Sequence, residues 1–161
     1  MNVEISRVDY TNAAECKELL TLLDNYARDP MGGGAPLSEY SKSNLASSLA
    51  LTPGAASWLA RIDSKAVGFS NCFQGFSTFA CKPVLNIHDI AVDADYRGRG
   101  IAHALLGAIT EHARDIECCK ITLEVLVGNP KAKSVYRDVG FNPAAMKDEH
   151  GPYEFWDKPL R

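Results

Sequence analysis

Tyr96-Arg97-Gly98-Arg99-Gly100-Ile101-Ala102 lies between an apolar, strand-like run from Val84 to Val92 and an amphipathic helical run from Ile101 to Ile116. Two glycines let the backbone turn sharply and leave its N–H groups uncovered, so an anion can approach closely. The helix that follows adds unpaired N-terminal N–H groups and the positive end of its dipole. Arg97 and Arg99 bring fixed charge and forked donors that suit phosphate. Strand, glycine–arginine turn and helix together read as a pyrophosphate cradle. The bland alternative is a surface turn with solvated arginines. A P-loop fits badly because Ile101 and Ala102 stand where Lys and Ser or Thr would be needed. A dinucleotide fingerprint would need Gly where His103 stands, and Asp93 to Tyr96 intervene between strand and turn.

Downstream, the helix sets Ile101, Leu105, Ala108, Ile109, His112 and Ile116 along one face, which predicts packing on a sheet. Lys120 to Val127 reads as a β-branched strand. Gly128-Asn129-Pro130 then turns into a short helix, Lys131 to Val139, that stops at Gly140. Phe141 onward holds at most two short strands, the last at Tyr153 to Trp156. Upstream, Val3 to Val8 is a first strand and Ala13 to Ala27 a helix ended by Asp29-Pro30. Met31 to Pro36 is a glycine-rich connector or, alternatively, a lid on the substrate side. Ser38 caps a second helix running to Leu51. Ala56 to Ile62 and Lys65 to Phe73 form a hairpin through Asp63-Ser64. The order of elements predicts one domain over residues 1–161, of α/β (α+β) class. Its sheet is mixed and mainly antiparallel, with one parallel crossover through the 101–116 helix.

Composition narrows the function. With 161 residues, 46% hydrophobic and 23% charged, the chain suits one soluble domain with a proper core. A net charge of -3 argues against nucleic-acid or anionic-membrane partners. No apolar run approaches the roughly 18 residues of a membrane span. Five cysteines, odd in number and without a C-x-x-C pair, point to a reducing, cytoplasmic setting. The four histidines have no metal-ligand spacing, so no metal is expected.

Three motifs in order resemble the GNAT superfamily of acyl-CoA-dependent N-acetyltransferases. Ile90-Ala91-Val92 leads to Arg97-Gly98-Arg99-Gly100-Ile101-Ala102, similar to the family's Q/R-x-x-G-x-G/A loop. Leu123-Glu124-Val125 leads to Asn129, Ala132 and Tyr136, an N-x-x-A-x-x-x-Y pattern. Gly140-Phe141 closes that helix as the family's "GF" does. The resemblance implies a GNAT-like sheet whose middle strands splay apart, flanked by helices, with acetyl-CoA as co-substrate. Within the family, Ser77-Thr78-Phe79 and Asn86-Ile87-His88-Asp89-Ile90 resemble the spermidine/spermine and thialysine branch, although His88 stands where that branch carries Glu.

By that resemblance, the backbone from Arg97 to Ala102 grips the pyrophosphate, and Arg97 or Arg99 meets the outer phosphate. Ile90, Ala91 and Val92 pair with the pantetheine amides, while Asn129 and Lys131 flank the same arm. Tyr136 protonates the departing thiolate; its alternative role is packing. His88 accepts the amine's proton, with Glu124, the base position of ribosomal-protein N-terminal acetyltransferases, as the second candidate. His88, Asp89 and Phe79 contact the amine, or Phe76 and Phe79 serve packing or a dimer contact. Strand alternation sets His88 and Asp89 on opposite faces unless a bulge reorients one. The expected activity is acetylation of a small primary amine, diamine or amino-acid-like, by direct attack, in a homodimer. The alternatives are acetylation of a protein amino terminus or lysine, and a non-catalytic acyl-CoA sensor.

Overall fold

A computed structural model describes residues 2–144 and 153–160. The strands are β1 (Glu4–Arg7), β2 (Ala55–Ile62), β3 (Lys65–Ser77), β4 (Lys82–Val92) and β5 (Lys120–Leu123). The helices are α1 (Ala13–Arg28), α2 (Glu39–Leu51), α3 (Ile101–Asp115) and α4 (Pro130–Asp138). The strands form one sheet in the order β1-β2-β3-β4-β5, antiparallel except for the parallel pair β4–β5 that α3 connects.

Side-chain alternation sorts the sheet into two cores. Trp58, Ala60, Val67, Cys72, Leu85 and Ile87 face α3, whose Ile101, Leu105, Leu106 and Ile109 are fully buried against them. Leu59 and Phe69 face α1 and α2, meeting Leu19, Leu22, Leu23 and Leu49. A fully buried aliphatic side chain stabilises by roughly 1.5–3 kcal/mol. Ile101, the first residue of α3, therefore pins that helix's start to the sheet. At the same end of the sheet, the β2–β3 hairpin turns through Asp63 and Ser64 at φ 49° and 65°, the left-handed pair that a two-residue turn requires, and Lys65 just past it reaches the Tyr96 hydroxyl.

Three expectations need correcting. β3 runs on to Ser77 rather than stopping at Phe73, because Gln74 to Ser77 pair with Lys82 to Leu85. β5 stops at Leu123 rather than Val127, since Ile87–Leu123 is its last pair with β4. Tyr153 to Trp156 are irregular and exposed, without strand pairing. Any strand within 145–152 lies outside the described residues.

The end of β5 pairing coincides with a bulge. Asn71 pairs with Asp89 while Cys72 pairs with Ile87, so His88 is an extra residue in β4. Leu85 and Ile87 face α3, and so do Ile90 and Val92 beyond the bulge. His88 and Asp89 are therefore both left on the α1 side. Asn71 and Phe73 share that side: Asp89 bonds to the former, and the His88 ring meets the latter edge-on at 5.6 Å. From His88 onward β4 and β5 part, which is the splay that the resemblance implied.

Candidate active site

Asn12, Ser38 and Asn129 accept backbone N–H groups at the starts of α1, α2 and α4, the usual way of satisfying those orphan donors. α3 is different. Its N-cap is Gly100, left-handed at φ 78°, and among the described residues no side chain makes a capping bond there. Gly98 is also left-handed, at φ 75°. A Cβ at either position would meet nothing within 4 Å. Backbone conformation, not crowding, demands glycine there, and the turn faces open space. Pinned by Ile101, the start of α3 presents uncapped donors to whatever anion enters.

That space is a cleft of about 720 Å³ walled by Ile90 to Val92, Tyr96 to Gly98, Gly100 to His103, and Gly128 to Ala132, with Val135 and Tyr136. It opens through the gap where β4 and β5 part. β3 pairs with one edge of Ile90, Ala91 and Val92, and the other edge faces the gap. Asn129 caps α4 through a 3.1 Å bond from the Ala132 N–H, so the Asn–Ala part of the motif is an N-cap and its third helical residue. Tyr136 follows Asn129 by seven residues, nearly two turns, and projects from the same face.

Tyr136 is held by the end of its helix. The Phe141 N–H bonds to the Tyr136 carbonyl at 2.9 Å and the Gly140 N–H to the Arg137 carbonyl at 3.0 Å, with Gly140 at φ 97°. This pair of bonds is a Schellman motif. Its hydrophobic contact is the ring of Phe141 against the ring of Tyr136, centroids 6.0 Å apart. Burial pushes the Tyr136 phenol above its ordinary value, and the neighbouring Tyr26 adds to the effect. The hydroxyl therefore keeps its proton through neutral pH.

The arginines behave unlike one another. Arg97 donates from Nε to the Val92 carbonyl at 3.1 Å and from Nη2 to Asp29 at 2.9 Å, so it ties the cleft wall to the end of α1. Arg99 lies over the Tyr96 ring, 5.1 Å from its centroid, and bonds to the Asp95 carbonyl. Lys131 lines the cleft at the first turn of α4. His88 is exposed and Asp89 partly buried, two residues and one residue before the cleft residue Ile90 on β4; both lie on the α1 side and neither lines the cleft. Glu124 is exposed in the chain just past β5. Phe79 is fully exposed at the tip of the β3–β4 hairpin, beyond Lys82, which the rise of a strand puts roughly 20 Å from His88. Cys118 and Cys119 precede β5, at the opposite end of it from Asn129, and burial pushes the Cys118 thiol up.

Tyr26, Asp29, Met31, His103 and Val135 are among the cleft residues to which the sequence reading gave no role. Tyr26 occupies the apolar face of α1 beside Leu22 and Leu23, so its hydroxyl carried no distinguishing pattern. Burial, then the Asp89 and Asp29 carboxylates, push its phenol up. Asp29 bonds to the Met31 N–H at 2.9 Å, and its own backbone carbonyl takes the Gly32 N–H at 2.8 Å. A Cβ on Gly32 would sit 1.9 Å from the Tyr26 carbonyl. The triple glycine is thus a tight connector that curls back on α1 and brings Met31 into the cleft wall.

The sequence pattern of the acetyltransferase (GNAT) family matches residues 17–141. An uncharacterized N-acetyltransferase of Methanocaldococcus jannaschii is 35% identical over 85 residues, 52% of this chain and 38% of that protein. The thialysine N-epsilon-acetyltransferase of Sus scrofa is 32% identical over 95 residues, 59% of this chain and 55% of that enzyme. The chain thus spans less than two thirds of the length of these curated relatives. Among solved structures, a ribosomal-protein-alanine N-acetyltransferase of Brucella melitensis superposes with a TM-score of 0.71 at 21% identity, covering 99% of this chain and 100% of the other. At that identity the likeness concerns the fold.

Proposed function

Since the chain belongs to the acetyltransferase (GNAT) family, we propose that residues 1–161 form one domain that transfers the acetyl group of acetyl-CoA to a primary amine of a small molecule, diamine or amino-acid-like. The observation that carries this reading is the uncapped start of α3 at the end of a cleft whose far side holds a half-buried phenol. The N–H groups from Gly98 to Ala102 bind the pyrophosphate, with Lys131, and Arg97 or Arg99, supplying cations for further phosphate charge. The free edge of Ile90 to Val92 pairs with the pantetheine amides, and Asn129 flanks that arm.

The bound thioester supplies an electrophilic acyl carbon. An alkylammonium has a pKa of about 10.4, so the acceptor must lose a proton before it attacks. His88 takes that proton, directly or through water, while Asp89 attracts the ammonium. The C–N bond forms as the C–S bond breaks, and Tyr136 delivers its phenolic proton to the sulfur. Desolvation in the same half-buried place raises the thiolate's own proton demand, which helps a phenol of high pKa to serve.

Thiol release from acetyl-CoA across a panel of diamines, amino acids and short peptides tests this. Saturable, amine-dependent release led by the small amines is expected. Release led by peptides would favour the second reading, acetylation of a protein α-amino terminus, for which Glu124, exposed at the splay, is the base. Loss of activity in Glu124→Ala with an unchanged pH profile in His88→Ala would assign the base the same way. CoA binding without turnover on any amine would identify a sensor. We also propose a cytoplasmic homodimer without nucleic-acid or membrane partners. It is supported by Phe76 and Phe79, 62% and 103% exposed on the hairpin, and by five free cysteines. Sedimentation of Phe79→Ser as a monomer would agree with it.

A further inference from the structure

Beneath Asp89 runs a line of polar groups through an otherwise apolar layer. The Tyr10 hydroxyl lies 2.8 Å from Ser57 Oγ, Ser57 Oγ donates to Asn71 Oδ1 at 2.7 Å, and Asn71 Nδ2 donates to Asp89 Oδ2 at 3.0 Å. Ser57 and Asn71 are 1% and 2% exposed, a cross-strand pair between the pairs Leu59–Phe69 and Ala55–Phe73 of the α1-side core. The direction of the line follows from proton counting. Ser57 has one hydroxyl proton and gives it to Asn71, so Tyr10 must donate to Ser57. Asn71 uses its carbonyl to accept and its amide to donate. Every donor points toward the Asp89 carboxylate, and such aligned bonds polarise one another.

Apolar residues at 57 and 71 would have served the core at no cost in buried polarity. The line fixes one carboxylate oxygen on the side of the sheet to which the bulge also turns His88. We propose that Asn71, backed by Ser57 and Tyr10, is a positioning residue: it holds Asp89 as the receptor for the ammonium group of the acceptor, beside His88. The proposal rests on the amine-acetylation reading and deepens it to cationic acceptors bound through Asp89. Asn71 touches no substrate and acts through Asp89 alone.

Asn71→Asp keeps the shape and the acceptor from Ser57 but sets a second carboxylate against Asp89. Tyr10→Phe removes only the far end of the line and leaves the core filled. Steady-state kinetics are measured with the fastest amine of the panel, alongside the Kd for CoA and the thermal midpoint. Asn71→Asp is expected to raise the amine KM at least tenfold and Tyr10→Phe two- to threefold, with the CoA Kd of both within twofold of wild type. Variants that lose thermal stability but keep the wild-type amine KM would overturn the proposal and leave a structural line only. A second readout is independent of turnover. The side-chain amide of Asn71 in the wild-type protein is followed by NMR as 1,4-diaminobutane, lysine and the other panel amines are added. A saturable shift is expected; its absence for every amine would also overturn the proposal. A shift without turnover would preserve it while removing the enzymatic reading.

Discussion

Tyr136 owes its orientation to the two backbone bonds that end α4 and to the Phe141 ring folded back upon it. Tyr136→Phe keeps that packing and removes only the proton. Turnover in thiol release should fall at least tenfold while the CoA Kd stays within about twofold; undiminished turnover would take the acid role from Tyr136. At this scale the sequence was legible where a residue's spacing has one geometric meaning. The Asn129, Ala132 and Tyr136 spacing and the helix stop at Gly140-Phe141 could be read as a motif, whereas the capping of α4 by Asn129 emerged only from the structure. Tyr26 could not, because a phenol on an apolar helix face looks like core until its neighbours are known. Nor could Asn71, whose partners at positions 57 and 89 come from other strands, joined only by pairing across the sheet.

The elements around the cleft are held by a few backbone constraints. Gly100 sits at φ 78°, where a side chain costs roughly 1–2 kcal/mol. Gly100→Ala should lower stability by about that amount and weaken CoA binding, as denaturant titration and calorimetry would show. The connector between α1 and α2 depends on Asp29. The Met31 N–H, and then Arg97, hold its carboxyl below the usual carboxylate range. A depressed folded value stabilises above the unfolded pKa of about 3.9 and loses that contribution as pH falls through the folded value. Asp29→Asn should therefore melt below wild type at pH 7, with the gap closing as the pH drops under about 4. A gap independent of pH would show that the charge on Asp29 contributes nothing. Element boundaries were legible where chemistry marks them, as at Ser38 and Asp29-Pro30. They were illegible at Leu123, because Val125 to Val127 remain strand-like in composition, and only the bulge at His88 deprives them of a partner.

Across the whole molecule, the sheet order and the single parallel crossover follow from the succession of a hairpin, a strand, a helix and a strand. The bulge, the splay and the resulting cleft do not, since they arise from pairing between segments far apart in sequence. Filling the cleft should stabilise the fold as a unit. CoA at one hundred times its Kd adds about 2.7 kcal/mol, which in a domain of this size raises the melting temperature by roughly 5–10 °C. The most direct measurement is a CoA titration followed through the backbone amides. The N–H signals of Gly98, Gly100, Ile101 and Ala102 should move furthest and saturate together, while those in the capped first turns of α1 and α2 stay in place. No saturable change, or changes centred away from the start of α3, would contradict the assignment of that uncapped helix end as the phosphate cradle.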